Sequence, residues 1–485
     1  MSASRRDPPG PKTGFLGLAH LRRMRDELLG FPTELARTYG DLVSLRMGPK
    51  RLYFINHPAF VREVLVTQGK SFRKLPRIIQ AFRSVDGNGL VLSEGDFWLR
   101  QRRLVQPAFS TKRFGHYGQI AVNCTREMVD GWRPGAEVEI SAAMRRLALR
   151  IIARTMFEAE IIDAEGRIGA AIETLSEILT RQPSRAILWP EWLPTRENRT
   201  KHREVQVLDS IIRGVIRERR ASKVDKGDLL SMLLAAVDEE GDGTGMTDEQ
   251  ARDEAITLFN AGQDTTAAGL TWLWYLVATH PEVAEKLREE AERVLVLRNE
   301  AQEVLGSRNE TQQGHGERSA TYADLPSLPY TTQVVKESLR LYPPTWALIP
   351  REAVEDVPVG DFVIRKGGWV YIYPWVLHRD PRIFPEPERF DPERFAPGRV
   401  ESIPQHAYIP FGAGPHLCIG NTFATMEMVL AVSTVVSRVR LTLPPNSPPI
   451  VVEPHVAIRP RGGLTLRVEA VRRPAEVKQP LPVGT

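Results

Sequence analysis

Two cysteines, Cys124 and Cys418, are all that a chain of 485 residues carries, and they stand far apart. So few thiols exclude a disulfide framework, a four-cysteine iron–sulfur cluster and a zinc ribbon, and they suit a reducing cytoplasm. Long hydrophobic runs are missing too: no stretch reaches the ~18 uninterrupted apolar residues of a membrane span. The proline-rich start, Met1 to Lys12, has no apolar core behind it and is no secretory signal, so no transmembrane anchor is expected. Charge of one sign is also scarce. The net charge of +5 is spread along the chain, which argues against nucleic acid as a partner and leaves room for a local basic patch facing an acidic protein. What is there suits a globular protein: 42% apolar residues, enough for a core, and 26% charged. The length allows one large domain or two to three ordinary ones.

The most informative stretch is Phe411-Gly-Ala-Gly-Pro-His-Leu-Cys-Ile-Gly420, followed by an apolar run with helical spacing from Thr422 to Val429. Its glycines and proline describe a tight turn that delivers Cys418 to the N-terminal end of a helix. Unpaired N–H groups and the helix dipole there favour a thiolate. Gly412 and Gly414 let the main chain approach whatever the sulfur touches. A lone thiolate cannot build a four-ligand zinc site, but it can be the axial ligand of a haem iron. The stretch resembles the signature of the cytochrome P450 family, Phe-x-x-Gly-x-Arg-x-Cys-x-Gly, at Phe411, Gly414, Cys418 and Gly420. The departure is His416, where the family most often has an arginine on a haem propionate. A histidine still donates to a carboxylate, in a contact expected to be weaker and pH-sensitive. The resemblance implies haem b bound by Phe411, His416, Cys418 and Gly420, with the Cys418 thiolate on iron.

Other motifs of that family follow in order. Leu42–Met47 alternates and, after Gly48-Pro49, Leu52–Ile55 completes a predicted hairpin. The stretch from Phe72 to Glu94, broken by Pro76, Gly87 and Gly89, reads as a loop, which the resemblance makes the roof of the substrate pocket. Trp98 and Arg102 share a helix face at i, i+4; the resemblance puts both, and Arg351, on haem propionates. Long amphipathic helices fill Met128 to Leu234, with a break at 188–194. A capping box at Thr247-Asp-Glu-Gln250 opens a helix of about 33 residues, or about 50 Å, that ends before Pro281. Ala261-Gly-Gln-Asp-Thr-Thr266 in its middle matches the motif where the family's helix passes over the haem and opens a groove for O₂, with Asp264 and Thr265 relaying protons. Glu337 and Arg340, at i, i+3, match the family's Glu-x-x-Arg. An arginine from Pro-Glu-Arg-Phe completes that structural triad, and the tetrapeptide occurs at 387–390 and 392–395. Spacing favours Arg394, with Arg389 as the fallback. Phe259, Trp346, Leu348, Ile349 and Val456 are the expected pocket lining.

The ten residues 294–303 recur almost unchanged at 304–313, and with the polar stretch to 318 they read as a duplicated surface loop. Residues 458–467 read as a terminal hairpin, and the chain from Arg472 as a loose tail. The predicted fold is mainly helical with a small β region: one large P450-type domain at 14–470, between proline-rich segments 1–13 and 471–485. The resemblance implies a cytoplasmic, monomeric haem-thiolate monooxygenase. It would insert one oxygen atom of O₂ into an apolar small molecule, of fatty-acid, terpenoid or polyketide-like character. Electrons would come from a separate ferredoxin or flavodoxin and reductase, with Arg100, Arg103, Lys112 and Arg113 offered as a dock for an acidic ferredoxin. A peroxide-using enzyme and a haem-binding sensor or carrier are the alternatives; the intact Asp264 and Thr265 count against the former.

Overall fold

The predicted hairpin sets the first sheet. Strand Leu42–Met47 pairs antiparallel with Lys50–Ile55, with Leu45 opposite Leu52. Lys50–Ile55 then lies parallel to Trp369–Ile372, which pairs antiparallel with Arg351–Ala353, and that strand with Phe72–Lys74. The last pairing sets Lys74 opposite Arg351, two cations that sequence distance hides from each other. In this computed structural model residues 6–14, 17–157, 165–181, 190–222, 225–304 and 319–471 are described. The proline-rich start docks on the same sheet: Ser44 donates its backbone N–H to the Pro9 carbonyl at 2.7 Å. A Cβ at Gly10 would come within 1.7 Å of the Ser44 carbonyl oxygen, so the approach depends on that glycine.

The stretch read as a loop from Phe72 to Glu94 is more ordered than that. It holds the strand Phe72–Lys74 and a helix, Pro76–Asp86. Pro76 occupies the first helical turn, where its fixed φ and missing N–H suit helix entry, so it starts an element rather than breaking one.

The capping box forms as expected, with Thr247 accepting from the Gln250 N–H and Gln250 from the Thr247 N–H. It opens the central helix, Asp248–Thr279, whose side chains are buried on nearly every side. Such a helix runs through a core rather than over it. Helices Ile140–Phe157 and Pro329–Leu341 pack along it, and its Trp272 stacks on Tyr342 with ring centroids 4.1 Å apart. Helix Asn421–Val436, downstream of the cysteine turn, is apolar almost all round and packs into the same core as Thr111–Asp130.

Two expectations change. The first copy of the repeat is helical, because helix Pro281–Val304 continues through it with Val294 and Leu295 buried in the main core. The surface loop therefore cannot begin at 294; residues 305–318 of the second copy and its polar sequel lie outside the described residues, as does the tail from Arg472. The terminal hairpin is not one. Arg459–Pro460 pairs with Val452–Glu453, while Thr465–Val471 is the middle strand between Glu137–Glu139 and Val439–Thr442. Among the described residues no helix is long and apolar enough to cross a membrane.

Candidate active site

The cysteine turn is built by two left-handed glycines, Gly412 at φ 75° and Gly414 at φ 72°. A Cβ on Gly414 would sit 2.2 Å from the Leu65 carbonyl oxygen. Cys418 donates its N–H to the Phe411 carbonyl at 3.0 Å, and the helix proper begins at Asn421. The Cys418 side chain is exposed, yet burial pushes its thiol above the ordinary value. Both hold for a sulfur that faces an interior space walled by protein. The Gly420 N–H and the Arg102 charge pull the other way without prevailing. The helix end alone therefore does not secure the thiolate that the sequence suggested. A cation on the sulfur would, since metal coordination deprotonates a thiol outright.

Beside the turn, positive groups converge. Helix Gly95–Val105 places the Trp98 ring 4.1 Å from the His416 ring and lets Arg102 donate to the Leu417 carbonyl at 2.8 Å. Lys74 is 3% exposed, donates to the Ser93 carbonyl at 2.7 Å, and burial pushes its amine down to about 8. Burial, then the charges of Lys74, Arg351 and Arg102, push His416 down to about 3. The expected pH-sensitive histidine is thus neutral across the physiological range, and only an anion arriving there would raise it. Glu94, bonded to the Lys74 N–H, and Glu254 are the nearby acids. Burial raises the Glu254 carboxyl to about 8, which leaves the buried Lys74 and the half-buried Arg102 and Arg351 short of negative charge, so an anion joining them is favoured. The two propionates of a haem fit that need, with the Cys418 sulfur nearby to meet its iron. Lys74 escaped the sequence reading because nothing local marks it; its meaning comes from the strand pairing with Arg351.

The central helix presents two different chemistries at Asp264 and Thr265. Ala261 is exposed, and Thr265 donates its hydroxyl to the Ala261 carbonyl at 2.7 Å. Asp264 is 7% exposed on another side of the helix, where Oδ1 accepts from Arg459 Nη2 at 2.6 Å. The helix is continuous from Asp248 to Thr279 through this segment, and the Ala261 carbonyl there accepts from the Thr265 hydroxyl. Gly262 has a packing reason instead: a Cβ there would meet Ile152 Cδ1 at 3.1 Å, so the glycine admits the neighbouring helix.

Glu337 and Arg340 form a bidentate pair at 2.7 and 2.8 Å, neither exposed at all. Arg394 Nε lies 3.4 Å from Glu337 Oε1, while Arg389 points outward to Glu386. Arg389 contributes only its carbonyl, which accepts from Arg340 at 3.1 Å. The remaining Arg340 donors meet the carbonyls of His378 and Pro387, so one guanidinium fastens three chain segments.

The pocket candidates fall in different surroundings. Phe259 packs against Phe157, centroids 6.1 Å apart, beside a void of about 10 Å³ that is too small for a substrate. Trp346 donates to the His455 carbonyl at 2.8 Å and packs in the cluster of Phe31, Phe54 and Tyr373. Phe259 is a core residue, whereas Trp346 stays half-buried at the edge of its cluster. Leu348 and Ile349 are half-buried on the segment leading to Arg351, and Val456 is 39% exposed, its N–H donating to the Thr180 hydroxyl.

Residues 8–467 match the model of the family described as cytochrome P450. The chain belongs to the cytochrome P450 family. It is 36% identical to cyclooctat-9-en-7-ol 5-monooxygenase of Streptomyces melanosporofaciens, over 84% of each chain. It is 31% identical to pentalenene oxygenase of Streptomyces avermitilis over 89% of this chain and 90% of that one. Human cytochrome P450 4F3 is 31% identical over 95% of this chain and 89% of its own. This cytochrome P450 is accordingly a monooxygenase that uses haem b with a cysteine thiolate on iron, and Cys418 is the cysteine its site offers. Of the basic residues offered as a dock, two are already engaged. Arg103 holds Asp238 through two bonds of 2.7 Å, and Arg100 reaches Asp242, Thr244 and Gly245. Their charges serve the fold first.

Proposed function

We propose that this cytochrome P450 oxygenates an apolar terpenoid, with electrons from a separate ferredoxin or flavodoxin and its reductase. The observation that carries the site assignment is the convergence of the buried Lys74 with the half-buried Arg102, Arg351 and His416 beside the Cys418 turn. The compounds in the names of the two Streptomyces relatives, cyclooctat-9-en-7-ol and pentalenene, support the substrate class. Haem b, when bound, supplies O₂ activation and the transfer of one oxygen atom to carbon. The chain supplies the rest. Cys418 Sγ would be the iron ligand, and Lys74, Arg102, Arg351, His416 and Trp98 would take the two propionates. The small side chain of Ala261 leaves the helix surface low there, and Thr265 Oγ1 and the Asp264 carboxylate would handle protons. Leu348 and Ile349 offer apolar wall, which orients a substrate by exclusion of water. Glu337, paired with both Arg340 and Arg394, and the bonds of Arg340 to the His378, Pro387 and Arg389 carbonyls keep those segments in register.

The test is isotopic. Purified enzyme with ferredoxin, reductase and NAD(P)H, given a panel of cyclic terpene alcohols and hydrocarbons under ¹⁸O₂, should yield a product carrying one ¹⁸O atom. A fatty acid preferred over every terpenoid would overturn the substrate class. Product whose oxygen comes from peroxide or water, with no need of NAD(P)H, would overturn the electron route.

A further inference from the structure

The central helix carries one more polar side chain at its open stretch. Between Ala251 and Trp274 the helix is buried except at Asn260, Ala261, Gly262 and Thr265. Gly262 faces Ile152, so the opening lies at the other three. Ala261 has no polar side chain, and Thr265 spends its hydrogen on the Ala261 carbonyl. Asn260 is different. Its Nδ2 donates to Asp86 Oδ1 at 2.7 Å, and its carboxamide makes no other hydrogen bond among the described residues. Asp86 is the last residue of helix Pro76–Asp86, 7% exposed, and its carbonyl accepts from the Thr257 hydroxyl at 3.3 Å. Burial pushes its carboxyl up to about 6, so above that pH it is ionised and can only accept. The amide must therefore turn Nδ2 to Asp86, which leaves Oδ1 and the second N–H for another group. A void of about 10 Å³ also touches Asn260, but its other lining residues are all apolar. A water there would lack the several polar partners it needs, so the void stays dry. The partner of Oδ1 has to come from the opening beside Ala261. Leu348 and Ile349, the wall assigned to the substrate, offer it none. A half-buried acceptor left unmet is costly, so a ligand with a hydrogen to give is favoured over one without.

We propose that Asn260 is a specificity-determining residue, whose Oδ1 accepts the hydrogen of a hydroxyl on the substrate, and that Asp86 is the positioning residue that fixes which end of the amide faces it. The inference rests on the terpenoid reading above and narrows it to terpenoids that already carry an alcohol. An enzyme that leaves a hydroxyl on the terpenoid skeleton must therefore act before this one.

Two measurements test it. The spin shift of the haem-loaded enzyme is titrated with cyclic terpene alcohols, each paired with the hydrocarbon of the same skeleton. At least one alcohol should bind ~10-fold or more tightly than its hydrocarbon. Asn260→Leu should bring that ratio to about one, chiefly by weakening the alcohol. That variant strands the Asp86 carboxylate, so the paired change of Asp86→Leu with Asn260→Leu, which leaves neither partner unmet, is measured beside it and should give the same ratio. A wild type without the preference overturns the proposal, and so does a preference that survives both variants, since a purely structural Asn260 would weaken alcohol and hydrocarbon alike. The second measurement needs no variant. In a crystal structure of wild type with its best alcohol bound, the ligand hydroxyl should lie within hydrogen-bond distance of Asn260 Oδ1; a hydroxyl placed elsewhere overturns the proposal. Failure of the terpenoid reading looks different: a fatty acid would then bind more tightly than every terpenoid, alcohol or hydrocarbon.

Discussion

Cys124 and Cys418 show how far environment separates two identical side chains. Cys124 is fully buried, burial raises its thiol to about 11, and Arg154 Nη1 lies 3.4 Å from its sulfur. It packs and does no more. Cys418→Ser should abolish the red-shifted Soret band of the reduced carbon monoxide complex, whereas Cys124→Ser should keep it; a retained band in Cys418→Ser would refute the ligand assignment. His416 carries a second expectation at this scale. An arginine there adds a fourth fixed cation beside Lys74, Arg351 and Arg102, where the histidine is neutral. His416→Arg should therefore lower the melting temperature of haem-free protein and raise that of haem-loaded protein, because the propionates reverse the sign of the local charge. Thermal unfolding with and without haem reads both directions, and a shift of the same sign in both states would contradict this account.

At the scale of elements, the segment from Asp86 to Leu92 is clamped to the central helix by carboxylates. Asp253 accepts from the Asn88 N–H at 2.7 Å, Glu254 from the Leu90 N–H at 3.1 Å, and Asp86 from Asn260 at 2.7 Å. A Cβ on Gly89 would fall 2.0 Å from Thr257 Oγ1, so the chain rides directly on the helix. Burial raises the Glu254 carboxyl from 4.5 to about 8, against the pull of the Leu90 N–H and Lys74. The folded state thus holds this proton more tightly than the unfolded chain. Its contribution to stability is complete below the unfolded value and fades as pH rises through about 8. Glu254→Gln, neutral at every pH, should match wild type near pH ~5 and exceed it by an amount on the order of 3–5 kcal/mol near pH ~9. Denaturant titrations at those two pH values measure the gap, and a gap independent of pH would show that Glu254 does not carry it. Residues 72–94 hold a strand and a helix where a loop is expected, because Pro76 serves helix entry and Gly87 and Gly89 serve close approach.

Across the whole molecule, Glu337 and Arg340 act as a rivet. Arg340 joins the helix Pro329–Leu341 to the carbonyls of His378, Pro387 and Arg389, and Glu337 takes the Asp391 N–H at 3.0 Å besides Arg394. Complete burial pushes the Glu337 carboxyl up, while the guanidiniums hold its charge in place. Glu337→Ala strands those guanidiniums and should cost ~3–5 kcal/mol, leaving little haem-loaded protein. Arg389→Ala removes an exposed pair with Glu386 and should cost no more than about 0.5 kcal/mol. Equal losses in the two variants, read as haem content and unfolding midpoint, would contradict the assignment of Arg394 as the third member.

The sequence by itself determined the local grammar: the capping box at Thr247, the left-handed glycines around Cys418, the hairpin at Leu42–Ile55 and the pairing of Glu337 with Arg340. Each depends on residues within a few positions of one another, where helix, strand and turn geometry leave little freedom. Tertiary structure decided what depends on distant neighbours. The opposition of Lys74 and Arg351 is a matter of strand register between segments almost three hundred residues apart in the chain. The same holds for the choice of Arg394 over Arg389, the burial of Phe259 in the core, and the hold of Arg459 on Asp264. A side chain's type says what it can do; burial and its partner, both set by chains that meet only on folding, decide which of those things it does.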